Sequence, residues 1–132
     1  METITAIDID KKIAEAPGPV LIEFWAPWAP CRASSPAVEE ANLKYKDLTV
    51  FRVDASKEKA LVKRYNVKVV PTYVFITPPA AKGEVATEST RIMGAKGRST
   101  TLRAVRHELG IQETTTIAAE RVDDAKDDLA YP

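Results

Sequence analysis

The sequence predicts an α/β fold in which a mixed central sheet carries helices on both faces, followed by a C-terminal helical extension. Three observations lead there. Residues 20–25 and 48–54 are short, apolar, β-prone runs bounded by turn formers, and each is followed by a stretch with helical spacing of its apolar residues. Strands that alternate with helices imply parallel crossovers. Residues 69–77 form a third such run, but Pro78-Pro79-Ala80-Ala81-Lys82-Gly83 turns the chain and residues 85–93 return antiparallel, so the end of the sheet is a hairpin.

In chain order, residues 3–7 are β-prone and predict an edge strand, and Asp8 or Asp10 can cap a short helix running to Ala14. Pro17-Gly18-Pro19 breaks the chain before the central strand, which ends in the aromatic pair Phe24 and Trp25. Pro30 suits a first helical turn because its fixed φ is pre-set for the helix and its missing N–H loses no partner there. Residues 31–45 contain no glycine and place Val38, Ala41 and Tyr45 on one face, with Glu39, Glu40 and Lys44 between them; Pro36 is expected to kink this helix. The apolar density of residues 48–54 argues for a place inside the sheet. Ser56 can cap a helix carrying Ala60, Leu61, Val62 and Tyr65, with Asn66 as its left-handed terminator. After Gly94 and Gly97, a helix over residues 99–109 sets Leu102, Val105 and Leu109 on one stripe and closes the second side of the sheet.

Residues 1–110 are thus expected to form one domain, large enough to bury a core without disulfide staples. Residues 111–132 are expected to be a polar linker, Gln112-Glu113-Thr114-Thr115-Thr116, and a helix whose apolar stripe is Ala118, Val122, Ala125 and Leu129. Asp127 and Asp128 lie at the unfavourable end of that helix's dipole, so over residues 115–130 it needs a surface, either the body of its own chain or a second copy. The 19 basic and 19 acidic residues cancel, which gives no electrostatic reason to expect nucleic acid or an anionic membrane as partner. The basic residues Lys57, Lys59, Lys63, Arg64 and Lys68 read as a solvated helix face. No run approaches the roughly 18 apolar residues of a membrane span, and Met1-Glu2-Thr3-Ile4 lacks the basic and apolar regions of a secretion signal, so the expectation is a cytoplasmic protein. His107 is the only histidine and has no cysteine near it in sequence, so neither a metal nor another cofactor is expected.

The chemistry centres on Phe24-Trp25-Ala26-Pro27-Trp28-Ala29-Pro30-Cys31-Arg32, which sets the only cysteine beside a helix N-terminus, where unpaired N–H groups favour a thiolate. A strand, Phe-Trp-Ala-x-Trp, then Pro-Cys opening a helix with a proline five residues on, resembles the active-site segment of thioredoxins, whose usual form is WCGPC. Counting back from Pro36 puts Cys31 at the family's second, resolving cysteine. Between Trp28 and Cys31 this chain has Ala29-Pro30 where the family has Cys-Gly-Pro, so one residue is missing and the attacking cysteine is absent.

The resemblance implies a thioredoxin-like three-layer sandwich over residues 3–110 and assigns further positions. Val70-Pro71-Thr72 looks like the family's cis-proline segment, which faces the cysteines and offers backbone groups to an extended substrate; composition alone would not suggest it, since about one X-Pro bond in twenty is cis. Glu23 takes the place of the buried aspartate that assists proton transfer, and Arg52 that of its buried lysine partner; the alternative is a solvated pair at the sheet's rim. Gly94 resembles the glycine that lets a substrate approach opposite the proline. Trp28 is the exposed aromatic beside the site, whereas Trp25 belongs to the core.

Several functions remain open at this stage. With one cysteine, no disulfide can form within these 132 residues. The first reading is a redox-inactive protein that binds a polypeptide in a groove formed by Trp28, Ala29, Pro30, Val70, Pro71, Thr72 and Gly94. The second is a thiol-disulfide oxidoreductase in which Cys31 acts as a single thiol and an outside thiol such as glutathione releases the mixed disulfide. The third takes Ala29 as an introduced replacement of a cysteine in a dithiol protein.

Overall fold

The computed structural model describes residues 2–28, 35–79 and 85–111. The elements are β1 (Glu2–Thr3), α1 (Ile9–Glu15), β2 (Val20–Trp25), α2 (Ser35–Lys44), β3 (Thr49–Asp54), α3 (Lys59–Arg64), β4 (Thr72–Thr77), β5 (Thr87–Met93) and α4 (Arg98–Glu108). They build a five-stranded sheet in the order β1-β3-β2-β4-β5. β1 and β2 run parallel to β3, whereas β4 is antiparallel to β2 and β5 to β4. This is the mixed sheet that the crossover and hairpin patterns predict.

Period-two alternation in β2 separates the two sides. Val20, Ile22 and Phe24 join Ile9 and Ile13 of α1 and Leu61 of α3 in one core, together with Val53, Val74 and Ile76. Leu21 joins Val38 and Ala41 of α2 and Leu102 and Val105 of α4 in the other, with Val50, Tyr73 and Phe75. β2 is therefore buried on both faces, as a central strand between two helical layers must be. β5 is the outer strand of the hairpin and is mostly exposed, which matches its polar sequence Thr-Glu-Ser-Thr-Arg.

Several local expectations are corrected. The first strand is only Glu2–Thr3, because the chain turns at once: the Asp8 carboxylate accepts from the Thr5 N–H at 2.8 Å, and the Thr5 carbonyl accepts from Ile9 N–H at 3.1 Å. Asp8 thus spends its carboxylate upstream and does not cap α1, and Asp10 pairs with Arg64 at 2.6 Å. Ser56 does not cap α3 either. Its N–H and hydroxyl both donate to the Asp54 carboxylate, at 2.9 and 2.5 Å, in a turn that precedes the helix. Residues 69–71 bend, and β4 starts only after Pro71. Asn66, at φ 52°, does end α3 in the left-handed region. The expected helix before Ser35, including Cys31, and the C-terminal helix lie outside the described residues.

Candidate functional site

Register places the relevant positions at one end of the sheet. Phe24 of β2 pairs with Thr72 of β4, and Thr72 pairs with Met93 of β5. On the other side, Trp25 pairs with Asp54 of β3. Trp28, the Asp54 turn, residues 69–71 and Gly94 therefore project from the same sheet edge, where β2 and β5 end and β4 begins.

Beneath that end, Glu23 is fully buried (0 % exposed) on the α2 and α4 side of β2. Its strand neighbour is Arg52, whose Nε donates to Oε1 at 2.8 Å. A buried carboxylate is tolerable only with charge-assisted hydrogen bonds, and the longer guanidinium reaches it from a position that is itself 29 % exposed. Arg52 also covers Trp25, its guanidinium carbon lying 4.6 Å from the ring centroid. Trp25 is accordingly half-buried and lidded by a cation, not a closed core residue.

At the surface, the Val70–Pro71 peptide bond is cis. Pro71 and Thr72 are buried. The Thr72 hydroxyl donates to the Val69 carbonyl at 2.7 Å, and the Gly94 N–H donates to the Pro71 carbonyl at 2.8 Å. Val70, held between these two contacts, makes no backbone hydrogen bond to any described residue. Gly94 adopts φ +86°, a conformation that any side chain resists, and a Cβ there would meet nothing within 4 Å. Exposed apolar groups lie at this end of the sheet: Trp28 is 71 % exposed, Val69 47 % and Met93 56 %. Sequence reading missed Val69 and Met93. The only signal for Met93 was its place as the last residue of an antiparallel edge strand, next to the glycine. Ala29, Pro30 and Cys31 lie outside the described residues.

The thioredoxin family profile matches residues 1–98 of this chain. The chain belongs to the thioredoxin family. Thioredoxin Asp f 28 of Aspergillus fumigatus is 35 % identical over 74 residues, 54 % of this chain and 68 % of that protein. The thioredoxin of Mycobacterium bovis is 34 % identical over 87 residues, 64 % of this chain and 69 % of that protein. Among solved structures, Fasciola hepatica thioredoxin superposes with a TM-score of 0.69 at 27 % identity, covering 82 % of this chain and 99 % of that one. The thioredoxin match stops at residue 98, so all of α4 after Arg98 and everything that follows lie beyond it. Within the described residues of this thioredoxin-family chain, no helix is long and apolar enough to cross a membrane.

Proposed function

We propose that this chain is a polypeptide-binding member of the thioredoxin family that does not cycle a disulfide by itself. Dithiol exchange needs a first thiolate to attack and a second thiol to resolve the mixed disulfide, and the chain has a single cysteine. The observation that carries the binding half is Val70. Its backbone groups have no partner among the described residues, and Trp28, Val69 and Met93 add exposed apolar surface at the same end of the sheet. An extended peptide gains affinity from main-chain hydrogen bonds and specificity from flanking side-chain contacts, and this edge offers both.

The test is calorimetric binding of alkylated insulin B chain, an extended polypeptide without thiols. Wild type and Cys31→Ser are expected to bind alike within about twofold, and Trp28→Ala to bind at least fivefold more weakly. Binding lost in Cys31→Ser and kept in Trp28→Ala would overturn the reading.

A second reading is favoured by the position of Cys31 in sequence, four residues before α2. There Cys31 thiolate attacks the glutathione sulfur of a protein–glutathione mixed disulfide, forming a Cys31–glutathione disulfide and releasing the protein thiolate. A free glutathione thiolate then regenerates the Cys31 thiolate and departs as glutathione disulfide. This reading would give the chain a part in cell redox homeostasis, with Glu23 as a proton relay and Arg52 as its partner. It requires Cys31 to titrate well below the ordinary thiol value of about 8.5. A thiol inert to glutathione disulfide at neutral pH removes it.

A further inference from the structure

On the α1 and α3 side, away from the Val70 edge, the molecule carries a cleft of about 610 Å³. Its apolar lining includes Ile13 and Ala14 of α1, Ile76 of β4, and Val85 and Ala86 just before β5. Val85 is 82 % exposed. Two guanidiniums frame the opening. Arg64 pairs with Asp10 through both terminal nitrogens, at 2.6 and 3.3 Å. Arg91 pairs with Glu88 and also donates to the Tyr65 carbonyl at 2.7 Å, tying β5 to the end of α3. These contacts hold the cleft open between elements from four parts of the chain.

Charge is divided unevenly along the sequence. Residues 112–132 hold six acidic and two basic side chains, so in a chain of zero formal charge the first 111 residues carry +4. The lining itself is balanced, Arg64 and Arg91 against Asp10 and Glu88, and next to it in sequence stand the exposed Lys11, Lys63 and Glu15. The chain also leaves the described body close by. Glu108, the last residue of α4, accepts from the Ser89 hydroxyl at 2.6 Å. Ser89 stands at the bulge in the edge strand β5, between Glu88, a cleft residue that pairs with Ile76, and Thr90, which pairs with Phe75. One strand edge therefore separates the exit at Ile111 from the cleft, and the five residues 112–116, extended, reach about 17 Å.

We infer that the acidic C-terminal segment of the same chain, residues 117–129, docks in this cleft, with Val122 and Leu129 against its apolar lining and Asp123, Asp124, Asp127 and Asp128 toward Lys11 and Lys63. The segment covers apolar surface on the α1 and α3 side of the sheet. This inference stands independently of the function proposed for the Val70 edge.

Zero-length carbodiimide coupling of the full chain, mapped by mass spectrometry on an equal mixture of isotopically labelled and unlabelled protein, tests it. The expected result is intrachain links from Asp123, Asp124, Asp127 or Asp128 to Lys11 and Lys63, at least fivefold more abundant than links to Lys44 and Lys46 near α2. The full-length double variant Val122→Asp, Leu129→Asp, with its fold checked by circular dichroism, should lower the Lys11 and Lys63 links at least fivefold. Links spread evenly over all these lysines, links found only between labelled and unlabelled copies, links insensitive to the double variant, or no links would each overturn the inference.

Discussion

Arg52 has two duties at one position: it pairs with a fully buried carboxylate and covers the face of Trp25. Removing one partner of a buried pair costs about 3–5 kcal/mol, and the partial exposure of Arg52 brings the expectation to about 2–4 kcal/mol. Arg52→Met should lower the urea unfolding free energy by that amount, whereas Glu23→Leu combined with Arg52→Met should restore most of it, because an apolar pair leaves no stranded charge. A double variant as unstable as the single would contradict this account. Gly94 is a simpler case. Gly94→Ala meets no neighbour, so its cost is the left-handed backbone alone, about 1–2 kcal/mol by the same unfolding measurement. The Glu23 and Arg52 pairing is visible in sequence only through likeness to the family's acid and base positions. Nothing in residue spacing places two side chains that are 29 positions apart on adjacent strands in register.

Among the elements, the turn after β3 ties the sheet end to α3 through one carboxylate. The Ser56 hydroxyl, donating to Asp54, holds that carboxyl below its ordinary value of 3.8, against burial that would raise it. Between helices, the Arg98 guanidinium does the same for Glu40 against an ordinary value of 4.5. Each group binds its proton more weakly in the folded chain than in the unfolded one. The stability it contributes is therefore complete above the unfolded value and disappears as pH falls through the folded one. The urea midpoint should be flat above about pH 5 and fall below about pH 4, and Asp54→Asn should lower the neutral plateau and flatten the acid limb. A variant with an unchanged acid limb would show that the turn contributes nothing.

The strands were readable because their apolar runs are short and bounded by breakers. Helix caps were not. Asp8, Asp10 and Ser56 are all good capping residues, but each is engaged by a local turn or by Arg64, a competition that a one-dimensional pattern does not display. The edge strand β1 was overestimated for the same reason, since β propensity over residues 3–7 yields to the Thr5 turn.

At the scale of the whole molecule, the sheet brings to one end what the sequence separates: Trp28 after β2, residues 69–71 before β4, and Met93 with Gly94 after β5. The proline and glycine were legible through the family likeness. The apolar rim of Val69 and Met93 was not, because their exposure depends on where β4 begins and β5 stops. What the chain can do at that end is bounded by sulfur. With one cysteine, the chain has no second thiol with which to release a substrate sulfur.

The direct measurement is insulin disulfide reduction by dithiothreitol, followed by turbidity, with catalytic amounts of the full chain. The rate is expected to equal that of dithiothreitol alone for both wild type and Cys31→Ser. A clear acceleration by wild type that vanishes in Cys31→Ser would contradict the account.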